Sequence, residues 1–302
     1  MVSCPEVMDK ITIFSAPKPF LDPHISLIQK NAIHSWINLG EAVDIVIIGD
    51  EPGLSDVTNQ LPVKHRPEVL RNEHGTPLIS SIFSQARDTG EGDVLCYLNA
   101  DIILLPSFLN IVDEINQLQK QYVVVGRRWE LDISEELDFE QDWVSNLERK
   151  LNFDGRLSGY TAMDYFIFPR ELYLEIPDFA VGRAGWDNWM IYHAFQKGWK
   201  VIDITPAARI IHQRHDYQHL PGGKSHHKLK ESDRNVALSG GMKTLYDLLD
   251  VKFEYQNRKI SRKSISMAYL LRRLERLVIP ENQKGWRWQL TRIIRKLRRR
   301  IT

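Results

Sequence analysis

The 302-residue chain is 43% hydrophobic and 26% charged, which excludes a globally disordered polymer and suits one large α/β domain with an added segment. Its two cysteines, Cys4 and Cys96, exclude a disulfide framework and a thiolate zinc cluster and point to a reducing, cytoplasmic setting. The formal net charge of +1 hides a segregation: residues 252–302 hold 16 Lys and Arg against 3 Glu, a net of +13, and the first 251 residues keep 24 basic and 36 acidic side chains, a net of −12.

The first ten residues include Glu6, Asp9 and Lys10 and no apolar h-region, so no signal peptide is expected, and no window approaches a membrane-spanning length. Ile11–Phe14 reads as a strand and Pro23–Leu39 as a helix, with Ile25, Ile28, Ala32, Ile33 and Trp36 at helical spacing. Strands are expected at Asp44–Ile48, Val94–Leu98 and Tyr122–Val125, with helices at Pro77–Arg87 and Leu109–Leu118 between them. That alternation predicts a mostly parallel sheet covered by helices. Trp129–Lys150 is acidic and amphipathic, and 153–160 reads as a loop. A strand at Tyr165–Phe168, a helix at Asn188–Lys197 and strands at Lys200–Ile204 and Ala208–Ile211 follow. A Gly- and His-rich loop, His212–Lys228, precedes a helix expected over Leu238–Leu249 despite Gly240 and Gly241.

In such a sheet, ligands gather beyond the C-terminal strand ends. Ser15, Asp50, Asn99 with Asp101, and Arg127 with Arg128 stand there. A carboxylate at Asp101, just past Leu95-Cys96-Tyr97-Leu98, suits Mg²⁺ or Mn²⁺, which bind diphosphates through one or two carboxylates and phosphate oxygens. A lone Asp after a strand equally suits a turn or a helix N-cap.

Arg71-Asn72-Glu73-His74-Gly75, the helix after it, and Tyr97-Leu98-Asn99-Ala100-Asp101 together resemble the nucleotide-binding half of GT-A nucleotide-sugar glycosyltransferases, broadly family 2-like. In that family the strand ends in Asp-x-Asp. Here the last acid, the family's metal ligand, is kept as Asp101, and Asn99 replaces the first. The run Gly185 to Val201 resembles the family's second acidic segment, in which an acid pair opens a helix that ends in Gly and an aromatic residue. Asp187, eleven positions before Gly198, takes the place of the second acid, and Trp186 that of the first. His212 matches a third element, a further metal or diphosphate ligand, with His215 in reserve; a zinc reading of the His212–His215 spacing lacks a nearby cysteine.

The resemblance spans about Ile11 to Tyr217 and implies a GT-A type α/β fold, a mostly parallel mixed sheet flanked by helices; beyond it the residue pattern adds basic C-terminal amphipathic helices. It implies a catalytic unit at 1–230, with a nucleotide-binding half near 1–128 and an acceptor half near 129–230, and a helical extension at 231–302. It further implies Mn²⁺ or Mg²⁺ on Asp101 and His212, and donor contacts from Ser15, Asp50 (nucleobase or ribose), Arg71 (diphosphate), Asn99 (ribose hydroxyl or metal-bound water), Asp164 (sugar) and Trp186. Asp187 would be the general base of an inverting transfer to a glycan or glycolipid hydroxyl. Backbone N–H groups at a helix start would hold such a carboxylate, and Trp186 and Trp189 would raise its pKa or stack on a sugar; a simple helix cap is the other reading of Asp187.

Lys284–Thr302 sets Trp286, Leu290, Ile293, Ile294, Leu297 and Ile301 on one helical face and its Arg and Lys mainly elsewhere, and Ile265–Ile279 is similar. This pattern fits an interfacial helix on anionic lipid over residues 265–302, hence a peripheral place on the cytoplasmic membrane face; a helix pair packed on the acidic core is the alternative, and nucleic acid a lesser one. Two rival functions stay open. A non-catalytic protein would bind glycan or nucleotide sugar through a degenerate site. A sugar-1-phosphate nucleotidyltransferase would need a Gly-rich basic signature where Ser15-Ala16-Pro17-Lys18-Pro19 stands.

Overall fold

The computed structural model describes residues 9–140, 142–215, 229–281 and 283–302. Strand β1 (Ile11–Ser15) leads into α1 (Pro23–Ile37), whose start is marked twice. Pro23 occupies the first turn, where its missing N–H is no loss, and the Asp22 carboxylate accepts from the Ile25 amide at 2.9 Å. Next come β2 (Val43–Ile48), α2 (Leu54–Thr58), β3 (Lys64–Arg66), α3 (Ile79–Thr89), β4 (Val94–Leu98), β5 (Ile102–Ile103), α4 (Ser107–Leu118) and β6 (Tyr122–Val125). The second half holds β7 (Trp129–Leu131), α5 (Trp143–Asp154), β8 (Arg156–Leu157), β9 (Tyr165–Pro169), α6 (Trp186–Gln196), β10 (Lys200–Asp203) and β11 (Ile211–Gln213). The chain ends with α7 (Lys230–Leu238), β12 (Phe253–Gln256), β13 (Lys259–Arg262), α8 (Met267–Val278) and α9 (Gly285–Arg298).

Nine strands form one sheet in the order β13-β12-β10-β6-β9-β4-β1-β2-β3. It is parallel except at β9, which runs antiparallel between β4 and β6, and at the edge strand β13. The α/β class and the mostly parallel mixed sheet flanked by helices expected from the sequence are therefore observed. Side chains of β4 alternate between two cores: Cys96 and Leu98 join Ile13 and Trp36 on one face, and Leu95 and Tyr97 join Phe14, Phe83 and Trp186 on the other.

A second sheet, β5-β11-β7-β8, stands beside the first. Its register sets His212 opposite Ile102 on one side and Glu130 on the other. Five segments depart from the sequence reading, the first being 153–160, which was expected as a loop and holds the end of α5 and strand β8, because Arg156 and Leu157 pair with Glu130 and Trp129 of β7. The strand expected at 208–211 begins at Ile211, because Ala207 and Ala208 first close a turn on the Ile204 carbonyl; His212 thus lies inside a strand. Trp129–Lys150 opens as strand β7 and becomes helical only at Trp143. No helix spans 238–249: α7 ends at Leu238, and Gly240 and Gly241 take φ of +97° and +92°, a left-handed backbone that breaks the helix. Within 231–302, residues 253–262 form a hairpin that joins the main sheet through β10, where helix was expected throughout. Among the described residues no helix is long and apolar enough to cross a membrane.

Candidate functional site

A cleft of ≈1150 Å³ opens beyond the C-terminal ends of β1 and β4. Asp101 lies at its floor, 5% exposed, three residues past β4. Its Oδ2 receives Lys18 Nζ at 3.3 Å and lies 3.1 Å from His215 Nε2. Its Oδ1 is buried and has no hydrogen-bond partner among the described residues. His212 Nε2 is 3.7 Å from that oxygen, while His212 Nδ1 donates to Glu130 Oε2 at 2.9 Å. Glu130 therefore fixes the ring's tautomer and turns the other nitrogen toward Asp101, an arrangement met around metal-binding histidines. Ligand atoms of Asp101, His212 and His215 all lie within 4.8 Å of one another. A buried carboxylate oxygen without a donor, facing imidazole nitrogens, fits a divalent cation.

The charge balance agrees. Burial would raise the Asp101 carboxyl, but Lys18, His212 and His215 outweigh it and hold it well below the usual range. Burial likewise opposes ionisation of Glu130, yet bonds to His212 and Arg128 bring it down to about 2. Both acids are thus charged at neutral pH.

A chain of polar contacts continues from this corner under the cleft. Arg128 Nε donates to Glu130 at 2.8 Å, and its guanidinium also pairs with Asp164. Asp164 accepts from Asn99 Nδ2 at 2.6 Å, and Asn99 Oδ1 accepts from the Tyr97 hydroxyl at 3.1 Å. The antiparallel insertion of β9 makes this meeting: Leu98 pairs with Tyr165, so the Asn99 amide reaches the Asp164 carbonyl at 2.9 Å. Asn99 and Asp164 are therefore partners of each other on the cleft floor.

Asp187 also lines the cleft, in the first turn of α6. Gly185 precedes it at φ +110°, a conformation that suits glycine, and the Gly185 and Asn188 amides donate to Asp187 Oδ1 at 3.3 and 2.9 Å. Burial raises the carboxyl to about 6 against those two amides, with Asp164 adding repulsion. Trp186 is 5% exposed and packs edge-on against Tyr97 with ring centroids 5.1 Å apart, so most of its surface is core and only an edge meets the cleft.

The remaining expected residues divide. Arg71 lines the cleft and is held by Glu51 at 3.0 Å, by the Gly75 carbonyl at 2.7 Å and by Asp50. Its bond to Asp50, more than anything else, keeps that exposed acid below its ordinary pKa. Asp50 is not part of the lining, and Ser15 is fully buried with its hydroxyl on the Leu98 carbonyl at 2.6 Å, tying β1 to β4. Arg127 points back to the Ser158 carbonyl and covers the Tyr160 ring at 4.5 Å. His219, Asp216 and the Gly222–Gly223 pair lie outside the described residues.

Lys18, Glu130 and Tyr97 were not legible as site residues. Glu130 carries no local signal, since only the second sheet brings it to His212. Lys18 follows β1 at the sheet's C-terminal edge, and that position was its one available clue.

No protein-family model and no curated protein matches the chain. Among solved structures, a crystal structure of residues 1–349 of S. aureus TarS is similar at 10% identity with a TM-score of 0.44, over 68% of this chain and 60% of that one. At that degree of likeness, function has to be sought in the chemistry of the site itself.

Proposed function

We propose that the protein is a GT-A type, metal-dependent glycosyltransferase that moves a sugar from a nucleoside-diphosphate sugar to a hydroxyl of a glycan or glycolipid. The observation that carries this reading is the buried, unpartnered Oδ1 of Asp101 facing His212, whose other nitrogen is held by Glu130. Asp101, His212 and His215 would hold the cation, and the mixed oxygen and nitrogen set favours Mn²⁺ over Mg²⁺. A cation held there would neutralise charge developing on the leaving diphosphate.

The chain's own residues would supply the rest. Arg71 and Arg183 line the cleft and are suited to phosphate oxygens. Asn99 and Asp164 offer hydroxyl-binding groups on the floor, and Trp186 offers an edge for a sugar. Asp187, ionised above a pKa of about 6, would accept the proton of the acceptor hydroxyl. The hydroxyl oxygen bonds to the anomeric carbon as the bond to phosphate breaks, the nucleoside diphosphate leaves with the electron pair, and the anomeric configuration inverts.

A thermal-shift screen of nucleoside diphosphates and their sugars with Mn²⁺ tests the donor site, because a ligand bound to the folded state raises Tm. A metal-dependent rise that vanishes in Asp101→Ala is expected. The absence of a shift with every nucleotide tried, with or without metal, would sink the reading. Lys18 favours a second one: its ammonium already sits against Asp101 Oδ2 and 3.0 Å from His215, and would serve a site that binds nucleotide sugars without metal or turnover. Nucleotide binding indifferent to Mn²⁺ and to chelator, and abolished by Lys18→Ala, would select it.

A further inference from the structure

Helices α8 and α9 carry their amphipathic pattern inside out. A surface helix ordinarily buries its apolar stripe and solvates its charges. Here α8 buries Ala268, Arg272 and Glu275 and turns Met267, Leu270, Leu274 and Leu277 outward, the last 74% exposed. In α9, Thr291, Ile294 and Arg298 are buried, while Trp286, Ile293 and Leu297, and Ile301 just beyond, are exposed, Trp286 at 71%. The inward charges have a reason to be there: Arg272 donates to Asp250 at 2.9 and 2.7 Å, and Glu275 accepts from Arg295 and Arg298 at 2.9 and 3.1 Å. Asp250 and Asp247 of the body hold the pair by Arg272 and Arg298, Glu275 ties α9 to α8, and the apolar faces are left outside.

Exposed cations accompany those faces: Arg273, Arg287, Arg292, Lys296, Arg299 and Arg300. A hollow of ≈720 Å³ beside Trp288 and Ile293 is lined by Arg292, Lys296, Arg299 and Arg300. From residue 265 to 302 the one exposed acid is Glu281, and Lys243 neutralises it at 3.0 Å. We infer that the α8–α9 pair docks on the surface of an anionic phospholipid bilayer, with the leucine, isoleucine and tryptophan side chains entering the interface and the cations meeting lipid phosphates. A second copy on this face would set cations against cations, and a nucleic acid would leave the apolar stripe in water. The catalytic cleft shares Ile279, Arg295, Arg298 and Arg299 with this pair, so docking brings the cleft's rim to the bilayer. The inference is independent of the chemistry proposed for Asp101.

Flotation of the full chain with phosphatidylcholine vesicles, with and without phosphatidylglycerol, tests it. The protein is expected to float with the anionic vesicles alone. Arg292→Gln with Lys296→Gln is expected to weaken partitioning by about tenfold or more, an effect that added salt reproduces. Leu274→Gln with Leu277→Gln and Leu297→Gln is expected to weaken it at least as much, with an unchanged melting curve by circular dichroism because these side chains are exposed. Wild type that stays in the bottom fraction with anionic vesicles overturns the inference, as do variants that float like wild type. A lipid-free dimer that the leucine substitutions convert to monomer also overturns it and assigns the face to a second copy.

Discussion

Among the buried carboxylates of this molecule, two groups are satisfied in opposite ways. Beneath α8 and α9, Asp247 and Asp250, with Glu275 on the inner face of α8, meet Arg272, Arg276, Arg295 and Arg298, and each acid has guanidinium contacts between 2.7 and 3.9 Å. At the cleft floor, Asp101 is as deeply buried but keeps one oxygen without a donor among the described residues. A buried charge is tolerated when it is paired and hydrogen-bonded, so the first group explains itself as the clasp that holds the C-terminal helices. The second does not, and the missing partner on Asp101 is what points to a ligand.

The largest expected effects test that contrast directly. Asp187→Asn should lower turnover by about 10²–10⁴-fold in a nucleotide-sugar transfer assay, the range usual for loss of a general base. For the wild type, kcat/KM should rise with pH through about 6, since the base acts ionised. Glu275→Ala should lower stability by about 3–5 kcal/mol in urea unfolding, because Arg272, Arg295 and Arg298 are left with less compensating charge, while donor binding by the remaining folded protein persists. Equal loss of donor binding in that variant would erase the distinction between clasp and site.

Smaller effects sharpen it. Glu130→Gln should weaken Mn²⁺ binding about 10–100-fold, measured by calorimetry, by loosening the orientation of His212. Asp187→Asn should also change stability, with a definite sign. The folded carboxyl titrates near 6 against an ordinary 3.8, so its ionisation destabilises the fold as pH rises through that window. Removing it should add about 1–3 kcal/mol at neutral pH and little below about pH 4. Lys18→Ala should raise Mn²⁺ affinity by a few-fold, since its ammonium shares Asp101 Oδ2 with any bound cation. No detectable Mn²⁺ binding by either the wild type or Lys18→Ala would turn the balance toward the metal-free reading.

The amino-acid sequence by itself determined much of the architecture. Apolar runs such as Val94–Leu98 and the spacing of Ile25 to Trp36 specify strands and helices locally, and strand ends in a parallel sheet specify where ligands gather, which is why Asp101 could be named as a candidate, while Asp187, His212 and Arg71 were named through the resemblance to GT-A enzymes. The amphipathic character of 284–302 was equally legible, because helical spacing needs no neighbours to be seen. Only the tertiary structure decided which face of that helix is buried, since the answer depends on Asp247 in the body and Glu275 on the neighbouring α8, which receive Arg298 and Arg295. It also decided that Ser15 is a tether between β1 and β4, that Trp186 is mostly core, and that Glu130 and Lys18 join the site. Those outcomes rest on contacts between residues as far apart as 82 positions for Glu130 and His212 and 197 for Lys18 and His215, and no local pattern encodes them.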